Sequence, residues 1–296
     1  MLRFDQAGRG YHACREWHPR PDEAPYVELL FHQAYPQSPV AAGAPPPQVA
    51  AGAAPHVATG ESWRVVLDAS AHLLFTAWGS AAGGAGAMRD PTLRLVGARS
   101  QYVDTDPAGR TLMIGLRLRP GVLSSLIGAE ARHLTDRTAS AEDVFGKAAR
   151  DLLDRIVAAP IPESAAHDLA AFVVGKISAR PRRPTDPTVL AAALSRTASV
   201  EAAADAMGLT PRAVHRAAIT GIGLAPKRLV RIQRLHRALA LLLPPRSRPL
   251  ATAAAEAGYA DQAHLSRECS ALLGESPARF LARGVRNVQE RAAVSA

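Results

Sequence analysis

The most constraining feature of this sequence is a pattern that occurs twice near its C-terminus. The first copy runs from Ala202 to Val230 and the second from Thr252 to Leu281. Their first halves match at an offset of 50 residues and their second halves at 51, so the extra residue falls in a turn. Each copy has an alanine-rich segment, a glycine, a capping residue and then a polar, basic segment. This order predicts two helix-turn-helix units.

The residues that align between the copies have clear structural roles. The aligned pairs are Gly208 with Gly258, Val214 with Leu265, Arg216 with Arg267, Gly223 with Gly274 and Pro226 with Pro277. Glycine gives the backbone the freedom to end the first helix, and Thr210 and Asp261 stand where an N-cap is needed. A longer helix from Pro226 to Leu243, stopped by prolines, joins the two units.

The second helix of such a motif lies in the major groove of DNA and presents its N-terminal half to the bases. The side chains expected to read bases are Arg212, His215 and Arg216 in the first unit and Gln262, His264 and Arg267 in the second. The expected phosphate contacts are Thr210, Lys227, Arg228 and Asp261. Arginine suits guanine and glutamine suits adenine. The two histidines suit a phosphate as well as a base, and either repeat arginine could pair with a carboxylate instead.

The C-terminal region resembles the AraC-type regulators, above all in GYADQAHLSRECSALLGESPARF. The resemblance covers about 100 residues. It implies two subdomains joined by the helix from Pro226, with recognition helices in successive major grooves roughly 34 Å apart. Two departures concern packing and readout. Ala218 and Cys269 stand where the family usually has an aromatic residue, and Ala263 stands at a base-contacting position.

Charge and breaker residues divide the chain. The formal net charge is +9, and the segment from Asp186 to Ala296 holds 15 Lys and Arg against 8 Asp and Glu. This balance favours an anionic partner, either nucleic acid or an anionic membrane surface. The breaker-rich SARPRRPTDP at 178–187 predicts a linker between an N-terminal domain, 1–177, and a DNA-binding domain, 188–290.

The N-terminal domain is predicted to contain strands followed by helices, which makes the whole chain α+β. Apolar runs at 26–31, 63–67, 72–78 and 112–118 indicate a sheet or barrel, and helical spacing takes over from about Gly121. A proline- and glycine-rich stretch at 36–55 predicts a mobile loop. ArgGluTrpHisPro at 15–19, GlyLeuArgLeuArgProGly at 115–121 and LeuThrAspArg at 134–137 resemble a degenerate cupin-like sensor domain. LeuAspAlaSer at 67–70 stands where those relatives have Pro-Asp-Gly.

Histidine, tryptophan, cysteine and glycine positions in the sequence offer further candidate functional groups. The histidines His12, His18, His32, His56 and His72 lack short ligand spacing, so no metal site is expected. Three tryptophans, Trp17, Trp63 and Trp78, suit an effector pocket or an aromatic core. Cys14 and Cys269 are expected to be small apolar fillers in a reduced protein. GlyGlyAlaGly at 83–86 is expected to be a turn, because it lacks the spacing of a nucleotide-binding fingerprint.

The sequence therefore predicts a sequence-specific DNA-binding transcription regulator, an activator or a repressor, without a cofactor or enzymatic activity. Its expected partner is double-stranded promoter or operator DNA. RNA polymerase, a small-molecule effector and a second copy of the chain are further candidates. No membrane-spanning run or signal peptide is visible, so the chain is expected in the cytoplasm. Three alternatives stay open: a metal-dependent cupin-like enzyme, a nonspecific DNA-binding protein, and helical hairpins that bind another protein.

Overall fold

The computed structural model describes residues 13–34, 63–65, 67–78, 89–105, 112–159, 161–179, 186–197, 199–242, 246 and 248–283. The predicted loop at 36–55, the turn at 83–86 and the residues His12 and His56 lie outside these ranges. Within them, no helix has both the length and the apolar character that a membrane crossing requires.

The N-terminal half is built on an antiparallel sheet. Its strands are β1 (Ala13–Trp17), β2 (Val27–Ala34), β3 (Trp63–Val65), β4 (His72–Trp78), β5 (Arg89–Val96), β6 (Val103–Thr105), β7 (Leu112–Leu118) and β8 (Thr138–Ser140). Six of them form one sheet in the order β1-β2-β7-β4-β5-β8, and β3 pairs with β6 in a separate ribbon. The predicted strand-rich region is confirmed.

Helices cover one face of this sheet. They are α1 (Val122–Ile127), α2 (Ala141–Phe145), α3 (Lys147–Ala158) and α4 (Pro162–Ser178), with a 3₁₀ turn at Ala131–Leu134. Leu30, Leu73 and Leu116 of the sheet are fully buried together with Leu152 of α3 and Leu169 of α4. Burial of this apolar surface stabilises the first core, because each such side chain contributes about 1.5–3 kcal/mol.

The C-terminal half is helical. Its helices are α5 (Pro187–Thr197), α6 (Val200–Met207), α7 (Pro211–Gly221), α8 (Pro226–Leu242), α9 (Leu250–Glu256), α10 (Gln262–Leu273) and α11 (Pro277–Arg283). The predicted long helix is thus α8, which buries Leu229, Ile232, Leu235 and Leu239 in a second core shared with both helix-turn-helix units. Strands followed by helices and then an all-helical half confirm the predicted α+β class.

The second core also receives side chains from the first half of the chain. Leu67, Ala69 and Ala98 are buried in the same cluster as Leu190 and Leu229. The two halves are therefore packed together through apolar contact as well as through the polar contacts described below.

Candidate nucleic-acid interface

The first helix-turn-helix unit consists of α6 and α7. Gly208 ends α6 in the left-handed region, at φ +63°, and its N–H donates to carbonyls of α6. Thr210 then caps α7, because its Oγ1 accepts a hydrogen bond of 3.2 Å from the backbone N–H of Ala213. Pro211 occupies the first turn of α7, where the missing N–H costs nothing. These local signals fix where the recognition helix begins.

The second unit repeats this arrangement with α9 and α10. Gly258, at φ +85°, forms the turn. Asp261 Oδ1 accepts a hydrogen bond of 2.6 Å from the backbone N–H of His264 and caps α10. The carboxylate also lies at the positive end of the helix dipole, which favours it further. Thr210 and Asp261 thus act as N-caps, and their roles as phosphate contacts stay predictions.

Five of the six predicted base-reading side chains are solvent-exposed. On α7, Arg212, His215 and Arg216 are exposed around Val214, which is fully buried. On α10, Gln262 and Arg267 are exposed in the same way around the buried Leu265. The helical period therefore turns one apolar residue into the core and leaves the polar residues of the first turns free for DNA.

His264 is the half-buried exception, and its ring is held in place. The backbone N–H of Ala260 donates to His264 Nδ1 at 3.4 Å. The ring also meets Tyr259 edge to face, with centroids 5.2 Å apart. Since Nδ1 accepts, the proton of the neutral ring is on Nε2, which makes Nε2 a hydrogen-bond donor. A donor suits a phosphate or a guanine edge.

Two side chains of α8 hold the second unit, and sequence reasoning missed both. Arg231 donates to both carboxylate oxygens of Glu268 on α10, at 2.9 and 2.8 Å. The hydrogen bond to Glu268 raises the pKa of Arg231. Arg234 lies over the ring of Tyr259, 5.6 Å from its centroid. A bidentate pair fixes orientation as well as distance, so the recognition helix α10 is tied to the joining helix.

Of the two predicted phosphate contacts on α8, Lys227 is exposed and Arg228 is half-buried. The Arg228 guanidinium donates to the backbone carbonyl of Ser100 in the N-terminal half. Its predicted contact with phosphate is therefore in competition with a contact inside the chain. A separation of 128 residues lies between these partners, so no local sequence signal could have shown it.

The two residues that stand at the family's aromatic positions both lie in the core. Ala218 and Cys269 are fully buried in the second core. Burial raises the pKa of the Cys269 thiol to about 12, so it is protonated at neutral pH. This agrees with its expected role as a small apolar filler.

A buried ionic network lies where the first half meets α8. Arg117 donates to Asp68 Oδ1 at 2.9 Å and lies 3.2 Å from Glu28, while His72 lies 3.3 Å from Asp68. Burial alone would raise the pKa of Asp68, but Arg117 and His72 outweigh it and hold that pKa well below its usual range. LeuAspAlaSer at 67–70 thus supplies a structural ion pair.

His236 of α8 contacts the segment 67–70, which carries Asp68 of this ionic network. Its Nε2 donates to the carbonyl of Leu67 at 2.7 Å. Burial lowers the pKa of His236, with Asp68 acting in the opposite direction and Arg117 in the same direction. The neutral ring with its proton on Nε2 is therefore the form that joins the two halves.

The remaining candidates in the first half give no metal site among the described residues. His18 is exposed and His72 pairs with Asp68, while both ring nitrogens of His32 are buried without a hydrogen bond. Burial, and then the charge of Arg15, lower the pKa of His32. Trp17 packs against the first core, as expected of an aromatic core residue.

A polar cleft opens at the outer edge of the sheet, between β5, β8 and α3. Its volume is about 330 Å³, and its lining includes Thr92, Arg94, Ser140, Arg150 and Leu153. This volume lies within the usual range for small-molecule sites, which is roughly 300–1,000 Å³. The cleft is a candidate effector site, and none of the three tryptophans is among its described lining residues.

Comparisons with known proteins address both halves of the chain. A family model described as a helix-turn-helix domain matches residues 203–283, and a domain of unknown function, DUF6597, matches residues 50–140. Among curated proteins none matches this sequence.

Similar solved structures include ToxT from Vibrio cholerae, at 8% identity and a TM-score of 0.41, covering 76% of this chain and 95% of that one. They also include Vibrio cholerae ToxT bound to (E)-4-(8-methylnaphthalen-1-yl)but-3-enoic acid, at 9% identity and a TM-score of 0.42, covering 75% and 95% of the two chains.

The family match spans both capped turns, both recognition helices and the helix that joins them. Residues 203–283 therefore form a helix-turn-helix domain of the AraC type, and the chain is a DNA-binding transcription regulator.

Proposed function

We propose that α7 and α10 read two sub-sites on one face of double-stranded DNA, about one helical turn apart. The base-reading residues are the six predicted ones: Arg212, His215, Arg216, Gln262, His264 and Arg267. The observation that carries the proposal is their placement on two capped helices with buried apolar partners, inside the matched domain. Lys227, Arg228, Thr210 and Asp261 are proposed phosphate contacts through side chain or helix terminus.

The predicted linker at 178–187 separates two domains with different functions. Residues 188–290 bind the operator, and residues 1–177 respond to a signal. The chain acts in the cytoplasm as a regulator, not as an enzyme. Arg150 of the cleft lining is paired with Glu142 at 2.7 Å, so Arg94 is the lining residue that supports a small anionic effector, because guanidinium groups bind carboxylates and phosphates. RNA polymerase and a second copy of the chain are further proposed partners.

The test is selection of bound fragments from random-sequence DNA with purified full-length protein, followed by binding of the selected site at fixed salt. We expect an enriched motif with two sub-sites about 10 base pairs apart. Arg216→Ala and Arg267→Ala should each relax one sub-site and cost roughly 1–3 kcal/mol, about 5- to 150-fold in affinity.

Arg155→Ala is the matched control, because it removes an equal charge from an exposed position of α3, far along the chain from both recognition helices. It should bind the selected site as the wild type does. If no motif is enriched, or if both recognition-helix variants bind as the wild type does, the repeat is a nonspecific binder or a protein-binding module.

A further inference from the structure

Two loops of the N-terminal half are joined to each other by hydrogen bonds. These docking loops are residues 97–102, which follow β5, and residues 134–137, which precede β8. Asp136 accepts from Ser100 twice, at 2.7 Å from the backbone N–H and 2.5 Å from Oγ. Its own N–H donates to the carbonyl of Ala98 at 2.9 Å. Gly97 allows close approach, because a Cβ there would lie 1.9 Å from the carbonyl oxygen of Leu134.

The docking loops contact the first helix-turn-helix unit through Thr135. Its Oγ1 donates to the carbonyl of Gly223, at 2.6 Å, just beyond the end of α7. A Cβ on Gly223 would lie 2.7 Å from Thr135 Oγ1 and 3.2 Å from the carbonyl oxygen of Ala131, so Gly223 allows this segment to approach closely. Arg228, at the start of α8, adds the hydrogen bond to the Ser100 carbonyl.

The same loops contact the second unit through Tyr102. Its ring lies on Gly274, the C-cap of α10, where a Cβ would be 2.6 Å from Cζ of the tyrosine. Gly223 and Gly274 are equivalent positions of the two repeats. The hydrogen-bonded docking loops of the N-terminal half therefore contact the ends of both recognition helices at equivalent points.

This contact leaves the DNA-reading side chains uncovered. Arg212, His215, Arg216, Gln262 and Arg267 are all exposed while the loops are docked. The loops therefore do not act by masking the DNA-binding face. The loops can instead set the distance and the angle between α7 and α10. Both quantities must match the successive major grooves of DNA for the two helices to bind together.

We infer that Tyr102 and Thr135 are positioning residues that determine which spacing of the two DNA sub-sites this regulator accepts. The inference rests on the proposed two-site reading of DNA. The joining helix α8 and the Arg231–Glu268 pair give one tie between the units. The docking loops give a second tie at the C-terminal ends of the recognition helices, and two ties restrict the angle between α7 and α10 more than one does.

The experiment compares full-length wild type with the double variant Tyr102→Ala, Thr135→Val. The probes are the selected duplex at its native sub-site spacing, the same duplex with two base pairs inserted between the sub-sites, and a duplex carrying one sub-site. Wild type should lose about tenfold or more in affinity on insertion. The double variant should bind the two spacings within about threefold of each other and bind the single sub-site as the wild type does.

Conservative variants and a matched control separate positioning from folding. Tyr102→Phe and Thr135→Ser keep the ring and the hydroxyl, so together they should restore the wild-type spacing ratio. Ser164→Ala removes a half-buried hydroxyl of the same half, which donates to the carbonyl of Ile161 at 2.8 Å, and it should keep that ratio as well.

A wild-type spacing ratio in the double variant would overturn the inference. So would loss of single-sub-site binding in that variant, since the two residues would then support the fold and not the spacing. If wild type selects no two-part motif at all, the proposed function itself fails, which is a separate result.

Discussion

At the scale of single residues, Asp68 and Arg117 show how a buried charge is retained. Both side chains are almost fully buried, and Ser70 Oγ accepts from Arg117 Nε at 3.1 Å in addition to the ion pair. Removing one partner of a buried ion pair leaves an uncompensated charge, which costs far more than the pair contributes. The pair therefore fixes the 67–70 segment against β7.

Asp68→Asn tests this pair. We expect the free energy of unfolding at pH 7 to fall by roughly 3–5 kcal/mol, because Arg117 stays buried with one carboxylate fewer. The folded-state pKa of Asp68 lies below its unfolded value, so the stabilisation is complete above that unfolded value and is lost as pH falls through the folded value. The variant should therefore lose less further stability than wild type between about pH 5 and pH 2.

The measurement is urea-induced unfolding over that pH range. Asp151→Asn is the control, because Asp151 forms an exposed pair with Lys147 and should change stability by less than about 1 kcal/mol. Equal acid sensitivity in wild type and Asp68→Asn would contradict the assignment.

At the scale of elements, glycines decide how closely helices approach. Pro187, the first residue of α5, lies between Gly121 at the start of α1 and Gly221 at the end of α7. A Cβ on Gly221 would lie 2.5 Å from Pro187 Cγ. By contrast, a Cβ on Gly175 of α4 would meet no atom within 4 Å. Replacement by alanine is therefore expected to have opposite effects on stability at these two helical glycines.

Gly221→Ala should destabilise the protein by roughly 1–3 kcal/mol, because the added methyl group forces α5 and α7 apart. Gly175→Ala should stabilise it by about 0.5–1 kcal/mol, because alanine is the better helix former and the site is open. Thermal and denaturant unfolding of both variants measures this. Equal effects of the two substitutions would show that the close approach at Pro187 carries no cost.

At the scale of the whole molecule, the polar cleft and the docking loops share the strands β5 and β8. β5 lines the cleft and runs into loop 97–102, and β8 lines it and follows loop 134–137. Arg99 of the first loop donates to Thr138 Oγ1 of the cleft lining at 2.8 Å. An occupant of the cleft is thus positioned to shift the loops that hold both recognition helices.

A covalent adduct placed in the cleft tests whether the cleft is coupled to the DNA-binding domain. Thr92→Cys, alkylated with N-ethylmaleimide in a Cys14→Ser background, should change the sub-site spacing ratio by about fivefold or more. Cys269 should stay unmodified, because its thiol is buried and its pKa is raised to about 12. The measurement is affinity for the native and the expanded duplex before and after alkylation.

The control places the same adduct elsewhere. Ala171→Cys lies on the exposed face of α4 and should leave the ratio unchanged after alkylation. The same ratio for both alkylated variants would show that the cleft is not coupled to the DNA-binding domain.

Much of the fold and of the candidate DNA-reading site was predictable, because the signals are local. A glycine followed by Thr210 or Asp261 marks a turn and a cap within four residues, and the helical period then decides that Val214 and Leu265 are buried while Arg216 and Arg267 are exposed. Alternating apolar runs likewise indicated the strands. These features depend on backbone geometry over one or two turns.

The sequence by itself thus determined the two helix-turn-helix units, the side chains they present and the α+β class. Only the tertiary structure decided which residues far apart in the sequence become partners. Asp68 meets Arg117 across 49 residues, Arg228 meets Ser100 across 128 and His236 meets Leu67 across 169. No periodic pattern in the sequence predicts such contacts. They depend on how helices and strands pack together and on which buried polar groups then need a hydrogen-bond partner.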